Sequence, residues 1–442
     1  MEPKTLVRER HEILPENTIF VIISFEGPDL YSQAGGLGVR VKELSRALAE
    51  NDFETHVIFV GDPGKPGEEH LVDGKLILHR WCQWISQYYP QGVYQGEEQK
   101  LYDFNNSVPW YVMDKIVKPA AAQNRLVVIM GEEWQASQVI ISTSDLLHYH
   151  GLRNRVLMLW NANHTMSFHR IDWGRLGYVA TITTVSRYMK HHMWGMGLNP
   201  VVIPNGIPRR MLEKTNGHDE EFRRAFNNDL VLFKVGRWCP HKRWNMAIEA
   251  VASLKRMGVN PLLLMRGGQE PYGEEVLHNA RSLGLTVKEM NGNSSSWDSF
   301  LSQARGVRGA DVIDLKFYVD EDLASVLYSS SNAVLANSGI EPFGLVGLEA
   351  MAAGGLVFTG SSGEDYVRPF QNAIVLETSD QKEIVKYLLY LKNNPEEEQR
   401  IRREARTSAR NHTWDEIIKI LVWRLEYIAM AQQVQIKRNA HG

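Results

Sequence analysis

Short apolar runs rich in β-branched residues alternate with amphipathic segments along the whole chain. Such runs are typical of strands that are buried on both faces of a parallel sheet. In the first half they predict strands at Thr18–Ser24, Thr55–Val60, Leu126–Met130 and Val156–Trp160, and Val39–Glu50 has the apolar spacing of a helix. This βαβαβ order, with Gly-rich turns between strand and helix, indicates a doubly wound α/β domain.

The same pattern begins again after the turn at residues 203–208. It predicts strands at Leu230–Val235, Pro261–Met265, Ala333–Leu335 and Leu356–Thr359, and helices at Asn245–Arg256 and Leu345–Ala353. We therefore expect two Rossmann-like domains, at residues 1–200 and 201–412. A Thr N-cap signal opens one long amphipathic helix at Thr413–Ala431, within a third segment, 413–442. Gln269–Asp311 has no clear assignment, and its stretch NGNSSSWDS is expected to be a loop.

Composition narrows the class of protein. The 49 Lys and Arg against 52 Asp and Glu give a net charge of −3, which disfavours binding along a nucleic acid. Hydrophobic residues make up 43% of the chain, which excludes disorder of its bulk. The two cysteines fit a reducing cytosol, and no signal-type or membrane-spanning apolar segment stands out, so we expect a cytoplasmic protein. The oligomeric state has no sequence signal.

A glycine-rich turn, Ser32–Gly38, lies between a predicted strand and a predicted helix. Gly35 and Gly36 let the backbone approach a ligand closely, and the helix start offers free N–H groups and a positive dipole end. This arrangement suits a diphosphate. A tight turn without a ligand fits the same residues equally well.

Two cations, Arg237 and Lys242, stand five residues apart at the end of a strand in the second half. Arg offers a planar fork and Lys a point charge, so together they can clamp a diphosphate. Ligands of open parallel sheets bind at the carboxyl ends of the strands, which favours binding over two solvated charges.

The stretch Glu341–Gly354 carries the most information. Phe343, Gly344 and Leu345 would supply N–H groups at a helix start, and Glu349 falls about one turn inside the helix, facing the same side as Glu341. Both carboxylates can accept hydrogen bonds from sugar or ribose hydroxyls. An acidic helix start would explain Glu341 but not an inward Glu349 among Leu and Ala.

The spacing of Glu341 and Glu349 around Pro-Phe-Gly-Leu resembles the signature of retaining glycosyltransferases with the GT-B fold, two Rossmann-like domains facing a central cleft. Further similarities follow the family's order along nearly the whole chain. They are the donor-side glycine loop Gly35–Gly38, the turn Pro204–Gly206, the clamp Gly236-Arg237 with Lys242, and the turn Ser361–Asp365. The last similarity is a closing helix at Trp414, which crosses back to the first domain.

Within that family the first half resembles the glycogen and starch synthases, at residues 92–96, 102–106 and 131–135. It departs from them where their loop lysine is replaced by Gln33 and their His-Asp-Trp by Glu132-Glu133-Trp134. Their His-Asn is replaced by residues 160–164, Trp-Asn-Ala-Asn-His. The histidine's role is therefore open between His164 and an asparagine, and we assign His164 to the catalytic set.

The resemblance implies a nucleotide-sugar donor, with Glu349 holding the ribose, Arg237 and Lys242 the diphosphate, and Glu341 the sugar hydroxyls. It implies transfer of a glucosyl group from UDP-glucose with retained configuration, and no required cofactor, although Mg²⁺ is compatible. Asp320-Glu321-Asp322 is expected to be an acidic helix start rather than a metal site, and His191-His192 to lie on a surface helix.

For the acceptor we expect a small sugar phosphate, as in sucrose-phosphate synthases, contacted by Arg40, Arg170, Asn163 and Trp134. Elongation of a glucan from ADP- or UDP-glucose is an alternative, because six aromatic residues can stack on sugars or form core: Trp81, Trp84, Tyr88, Tyr89, Tyr94 and Trp110. A non-catalytic module that binds sugar nucleotides is a further alternative, motivated by the substitutions around the family histidine.

Overall fold

The structure is a computed structural model that describes residues 12–213, 218–292, 297–434 and 436. The chain divides into two compact units: the first runs to Gly206 and resumes at Trp414, and the second is Ile207–Thr413. The division falls after Gly206 rather than after residue 200, because Val201–Val202 pairs with Thr181–Thr184 as the last strand of the first sheet.

The first unit contains an eight-stranded sheet in the order β3-β4-β2-β1-β5-β6-β7-β8. Its strands are β1 (Thr18–Ser24), β2 (Glu54–Val60), β3 (Glu68–Leu71), β4 (Leu76–Trp81), β5 (Leu126–Glu132), β6 (Val156–Ala162), β7 (Thr181–Thr184) and β8 (Val201–Val202). All neighbours are parallel except β3 and β4. The four predicted strands are confirmed, three of them with ends shifted by one or two residues.

Helices cover this sheet. They are α1 (Gly36–Glu50), α2 (Gln83–Ser86), α3 (Glu97–Tyr111), α4 (Lys118–Ala122), α5 (Glu133–Tyr149), α6 (Trp173–Val179) and α7 (Arg187–Trp194). His191 and His192 are exposed on α7, as predicted. The hairpin β3–β4 was not predicted, because β3 (EEHL) is short and mostly exposed and has no apolar run.

The second unit has a seven-stranded parallel sheet in the order β11-β12-β10-β9-β13-β14-β15. Its strands are β9 (Leu230–Val235), β10 (Pro261–Arg266), β11 (Val287–Met290), β12 (Val312–Leu315), β13 (Ala333–Ala336), β14 (Val357–Thr359) and β15 (Ile374–Val375). Its helices are α8 (Asp219–Phe226), α9 (Trp244–Arg256), α10 (Tyr272–Ser282), α11 (Trp297–Gly306), α12 (Glu321–Ser330), α13 (Leu345–Ala352), α14 (Gln381–Lys392) and α15 (Pro395–Arg410).

The segment Gln269–Asp311 holds α10, β11 and α11. Residues 293–296 of the predicted loop lie outside the described residues. Trp297 and the two residues after it open α11 instead of a loop, and the ring of Trp297 stacks on buried Phe300 at 5.5 Å.

The last helix, α16 (Trp414–Ala431), belongs to the first unit, and the prediction of its extent is confirmed. Its apolar stripe, including Trp414, Leu421 and Leu425, lies in one buried cluster with residues of β1 and α1. No helix in the described part of the chain is long and apolar enough to cross a membrane.

Candidate functional site

The carboxyl end of β9 leads into a turn that carries two of the predicted cations. Gly236 has φ +153°, and a Cβ there would lie 3.5 Å from Cδ and Cε of Lys242, so the lysine stem passes over the glycine. Lys242 Nζ lies 2.6 Å from Glu341 Oε1, and both side chains keep partial exposure of 19% and 25%. Arg237 is exposed in the same turn. The structure therefore brings Lys242 and Glu341 together, 99 residues apart in sequence.

The turn before α13 is fixed by packing from the segment that follows β14. Gly344 has φ +83°, a conformation that suits glycine, and its carbonyl accepts a hydrogen bond from the hydroxyl of Tyr366. The ring of Phe343 is buried and packs against Tyr366 at 5.5 Å. Phe343 thus anchors the turn by its side chain, and the N–H groups at the helix start, beginning with Leu345, are those that a ligand can use.

Glu349 lies one turn inside α13 and is half-buried. Tyr328 of α12 donates a hydrogen bond from its hydroxyl to Glu349 Oε2 at 3.0 Å. Burial and the charge of Glu349 both raise the pKa of Tyr328, so this tyrosine remains a donor at neutral pH. Tyr328 fixes the direction of the carboxylate expected to hold the ribose. It was missed because a tyrosine in an amphipathic helix has no distinguishing sequence pattern.

The glycine loop of the first unit holds an internal anion. Glu26 Oε2 accepts hydrogen bonds from the N–H groups of Ala34, Gly35 and Gly38 at 3.1, 3.1 and 3.0 Å. Tyr94 donates to Glu26 Oε1 at 2.5 Å. Three of the N–H groups expected for a diphosphate are therefore satisfied by the protein itself, whereas those of Gly36 and Leu37 lie in the first helical turn, where no intrahelical acceptor exists.

The expectation that Arg40 offers an accessible cation to an acceptor is corrected. Its Nε lies 3.1 and 3.2 Å from the two Glu132 oxygens, its Nη1 lies 2.6 Å from Asn205 Oδ1, and it is 1% exposed. Glu132 ends β5 in the interior, where a carboxylate needs a counter-charge, and Arg40 supplies it. Asn163 also turns inward, because its amide donates to Glu132 Oε2 at 2.9 Å.

Glu133 opens α5 with φ +65°, a strained conformation for a residue with a side chain. Its side chain is fully buried, and Oε1 accepts hydrogen bonds from the backbone N–H groups of Asn163 and His164 at 2.5 and 3.1 Å. Its Oε2 lies 3.3 Å from Nδ1 of His164, whose side chain is 40% exposed. Burial is the main cause that raises the pKa of Glu133 to about 8. Glu133 thus holds the backbone at Asn163 and His164, and sequence alone did not single it out.

The side chains of Trp134 and Arg170 are adjacent. The Arg170 guanidinium lies 4.0 Å from the Trp134 ring centroid, and its Nη2 lies 2.9 Å from Glu98 Oε1. Arg170 is therefore present at the surface but already shares its charge with a carboxylate.

The aromatic residues left open between core and sugar contact separate into two groups. Trp84 and Tyr88 are 64% and 72% exposed and line a pocket of about 840 Å³, which Tyr102, a residue outside that set, also lines at 75% exposure. Trp81 instead packs edge-on against Tyr111 at 5.0 Å. Glu97, Glu98 and Asp103 border the pocket, so it combines ring faces with hydrogen-bond acceptors.

Asp320 caps α12 by accepting the N–H of Leu323 at 2.9 Å, which confirms the acidic helix start. Within the described residues, no group of three or more His, Cys, Asp or Glu side chains is placed to hold a metal ion.

Residues 218–408 match the family model described as glycosyl transferases group 1. No curated protein sequence matches the chain. Among solved structures, sucrose-phosphate synthase from Thermosynechococcus elongatus is similar at 16% identity, with 93% of this chain and 100% of that chain covered and a TM-score of 0.66.

The catalytic domain of starch synthase IV from Arabidopsis thaliana, bound to ADP and acarbose, is similar at 15% identity, with 94% and 99% covered and a TM-score of 0.65. An α,α-trehalose-phosphate synthase (UDP-forming) from Burkholderia xenovorans, in complex with glucose-6-phosphate, is similar at 11% identity, with 92% and 100% covered and a TM-score of 0.61. At these identities the similarity establishes the fold, and the predicted GT-B class is confirmed.

Proposed function

We propose that this chain is a glycosyltransferase that transfers a hexosyl group from a nucleotide sugar with retained configuration, because residues 218–408 match the group 1 family model and the chain has the GT-B fold. The observation that carries the proposal is the Lys242–Glu341 pair at the end of the second sheet, together with Glu349 one turn inside α13. UDP-glucose is the proposed donor.

In this mechanism Glu349 accepts hydrogen bonds from the ribose, and Arg237 with Lys242 binds the diphosphate. Cleavage of the sugar–phosphate bond builds negative charge on the leaving diphosphate, which these cations stabilise. Losing one such preorganised contact typically costs about 3–4 kcal/mol in the barrier. The acceptor hydroxyl attacks from the face that the diphosphate leaves, and the diphosphate oxygen takes its proton.

Arg237→Ala and Glu341→Ala are each expected to abolish transfer while leaving the fold intact. Release of nucleoside diphosphate from UDP-, ADP- and GDP-glucose with an acceptor present is the measurement, with circular dichroism as the check on folding. Arg281→Ala, which removes another exposed arginine of the second unit, is the control that keeps full turnover. Wild-type turnover in either site variant would contradict the assignment, and an α-configured product from an α-linked donor would support retention.

A small sugar phosphate is the proposed acceptor, with Arg170, Trp134 and His164 on the acceptor side. The burial of Arg40 leaves fewer accessible cations for a phosphate than the sequence led us to expect. Arg170→Ala is expected to raise the KM for glucose-6-phosphate or fructose-6-phosphate at least tenfold with little change in the KM for donor. No transfer to any sugar phosphate would exclude this acceptor class.

An oligosaccharide acceptor is the second candidate, favoured by the exposed Trp84, Tyr88 and Tyr102 in one pocket. Exposed aromatic rings beside carboxylates can stack on a sugar, while the carboxylates accept hydrogen bonds from the hydroxyls of the sugar. In this case maltodextrin would replace sugar phosphate as the acceptor, and Trp84→Ala would slow its elongation.

A third outcome is a module that binds sugar nucleotides without transfer. The Glu133–His164 pair motivates it, because it replaces the family's pattern. Donor binding with no hydrolysis and no transfer to either acceptor class would favour it, and measurable transfer would exclude it.

A further inference from the structure

Lys234 is a buried lysine in the middle of the second sheet to which the proposed mechanism gives no role. It lies on β9, between β10 and β13, and is 2% exposed. Its Nζ donates hydrogen bonds to the carbonyl of Leu335 at 3.0 Å and to Asn337 Oδ1. Lysine is seldom fully buried unless it is paired, and both of these acceptors are neutral.

The surroundings of this amine can hold both of its protonation states. A neutral amine has two N–H groups, and Leu335 and Asn337 accept two hydrogen bonds. An ammonium group has a third N–H. Nζ lies 5.0 Å from the ring centroid of Trp244, and the face of an indole attracts a cation.

β9 leads directly into the candidate diphosphate clamp. Gly236 follows Lys234 by two residues, and the stem of Lys242 crosses over Gly236. Lys242 is itself held by Glu341 at 2.6 Å. Lys234 therefore lies near the ion pair that a diphosphate must engage, and the charges of Lys242 and Glu341 both act on it.

The charged and titratable groups that act on Lys234 come from two loops. Burial above all, then Lys242 and Arg243, lower its pKa, Glu341 and Cys239 oppose them, and together these causes bring the pKa to about 7. The ammonium and amine forms are thus close to balance at neutral pH. A nearby change of one or two unit charges is enough to move that balance.

We propose that Lys234 is a positioning residue that takes up a proton from solvent when the diphosphate of a nucleotide sugar binds. The inference rests on the proposed function. The diphosphate brings negative charge to Arg237 and Lys242, and Lys242 must then share its charge between the ligand and Glu341. The ammonium form of Lys234 replaces the positive charge that Lys242 gives up to the ligand. Binding of the ligand therefore converts the amine of Lys234 into an ammonium group.

The test is calorimetric titration of the full chain with UDP-glucose, and with ADP-glucose, at pH 8 in buffers of different ionisation enthalpy. The diphosphate of a sugar nucleotide does not itself titrate near this pH. The wild type is expected to take up about half a proton per ligand bound, as a lysine pKa rises from about 7 to about 8 or above. Lys234→Met is expected to take up none and to bind several-fold more weakly.

Lys255→Met is the matched control, because Lys255 is another lysine of the second unit that bonds a carboxylate and a carbonyl, Asp311 and Gly284. It is expected to keep the wild-type uptake. If Lys234→Met fails to fold, the double variant Lys234→Met with Asn337→Leu removes the acceptor that would be left unpaired. A merely structural lysine would change stability but not proton uptake.

Binding without proton uptake in the wild type, or the same uptake in Lys234→Met, would overturn the inference and leave the proposed function standing. Failure of the wild type to bind either sugar nucleotide would overturn both.

Discussion

Gly36 stands in a position where the fold leaves room for a side chain. A Cβ built there or at Gly35 meets no atom within 4 Å, whereas at Gly38 it would lie 2.9 Å from Gln33 Cγ and 3.1 Å from Glu26 Oε2. Gly38 is therefore required by packing against the strand-to-helix turn. No such packing contact requires the glycine at Gly36, so the proposal that a ligand approaches its backbone can be tested by adding a side chain there.

Gly36→Ala is expected to fold with equal or higher stability, because alanine has lower conformational entropy in the unfolded chain, by roughly 0.4–1 kcal/mol. Turnover with the nucleotide sugar is expected to fall at least tenfold, as measured by diphosphate release. Gly177→Ala, at an exposed position of α6 that is also open, is the control that keeps activity. An active Gly36→Ala enzyme would remove the loop from the donor site.

Glu133 makes the free energy of unfolding depend on pH. The unfolded chain releases this proton near the ordinary glutamate pKa of 4.5, whereas the folded protein retains it until about 8. Between these values the folded state binds more protons, so the free energy of unfolding falls as pH rises from 5 to 8.

Glu133→Gln lacks this titration, so its stability relative to the wild type is expected to increase by up to about 1.4 kcal/mol per pH unit between pH 5 and 8. Urea unfolding at several pH values measures the difference. Glu396→Gln, on the exposed first turn of α15, should run parallel to the wild type. A constant offset between Glu133→Gln and the wild type would show that Glu133 is ionised throughout this range.

Sequence patterns predicted the residues of the second-unit site better than those of the first. Lys242 and Glu341 follow strand ends, and the ends of parallel strands meet at one edge of the sheet, so their proximity is predictable. The buried pair of Arg40 with Glu132 and the contact of His164 with buried Glu133 depend on which way each side chain turns. Spacing alone does not fix that direction.

At the scale of elements, α16 supplies part of the first unit's core. Leu421 is 0% exposed within the cluster that includes β1, whereas Tyr427 on the same helix is 62% exposed. Leu421→Ala leaves a cavity, and we expect it to lower the free energy of unfolding by about 2–5 kcal/mol.

Denaturant unfolding followed by circular dichroism measures the effect, with Tyr427→Ala as the control, expected within about 0.5 kcal/mol of the wild type. Equal losses in both variants would mean that the helix is held by something other than its buried stripe.

Predictability also differs among the elements. Buried strands such as β1 and β9 have continuous apolar runs, and their predicted bounds match the structure. The strands β3 and β11 lack such runs, because β3 is mostly exposed and each of them is only four residues long. Pairing with a neighbour, rather than local sequence, determines them.

At the scale of the molecule, each unit has its own buried cluster. A ligand held mainly by the second unit should therefore stabilise that unit in particular. In hydrogen exchange with saturating UDP, we expect the largest gain in protection within Ile207–Thr413, above all around α13. Gains confined to β1–β8 would assign the nucleotide to the first unit. Glu349→Ala is expected to abolish the gain around α13.

The chain passes out of the first unit at Gly206 and returns at Trp414. A ribosome therefore releases every residue of the second unit before the helix that completes the core of the first. Domains generally fold as units during synthesis, the N-terminal one first. Here the second unit can complete its folding first, because all of its residues are available during translation. The first unit can complete its core only when Trp414–Ala431 emerges and α16 fills its place in that core.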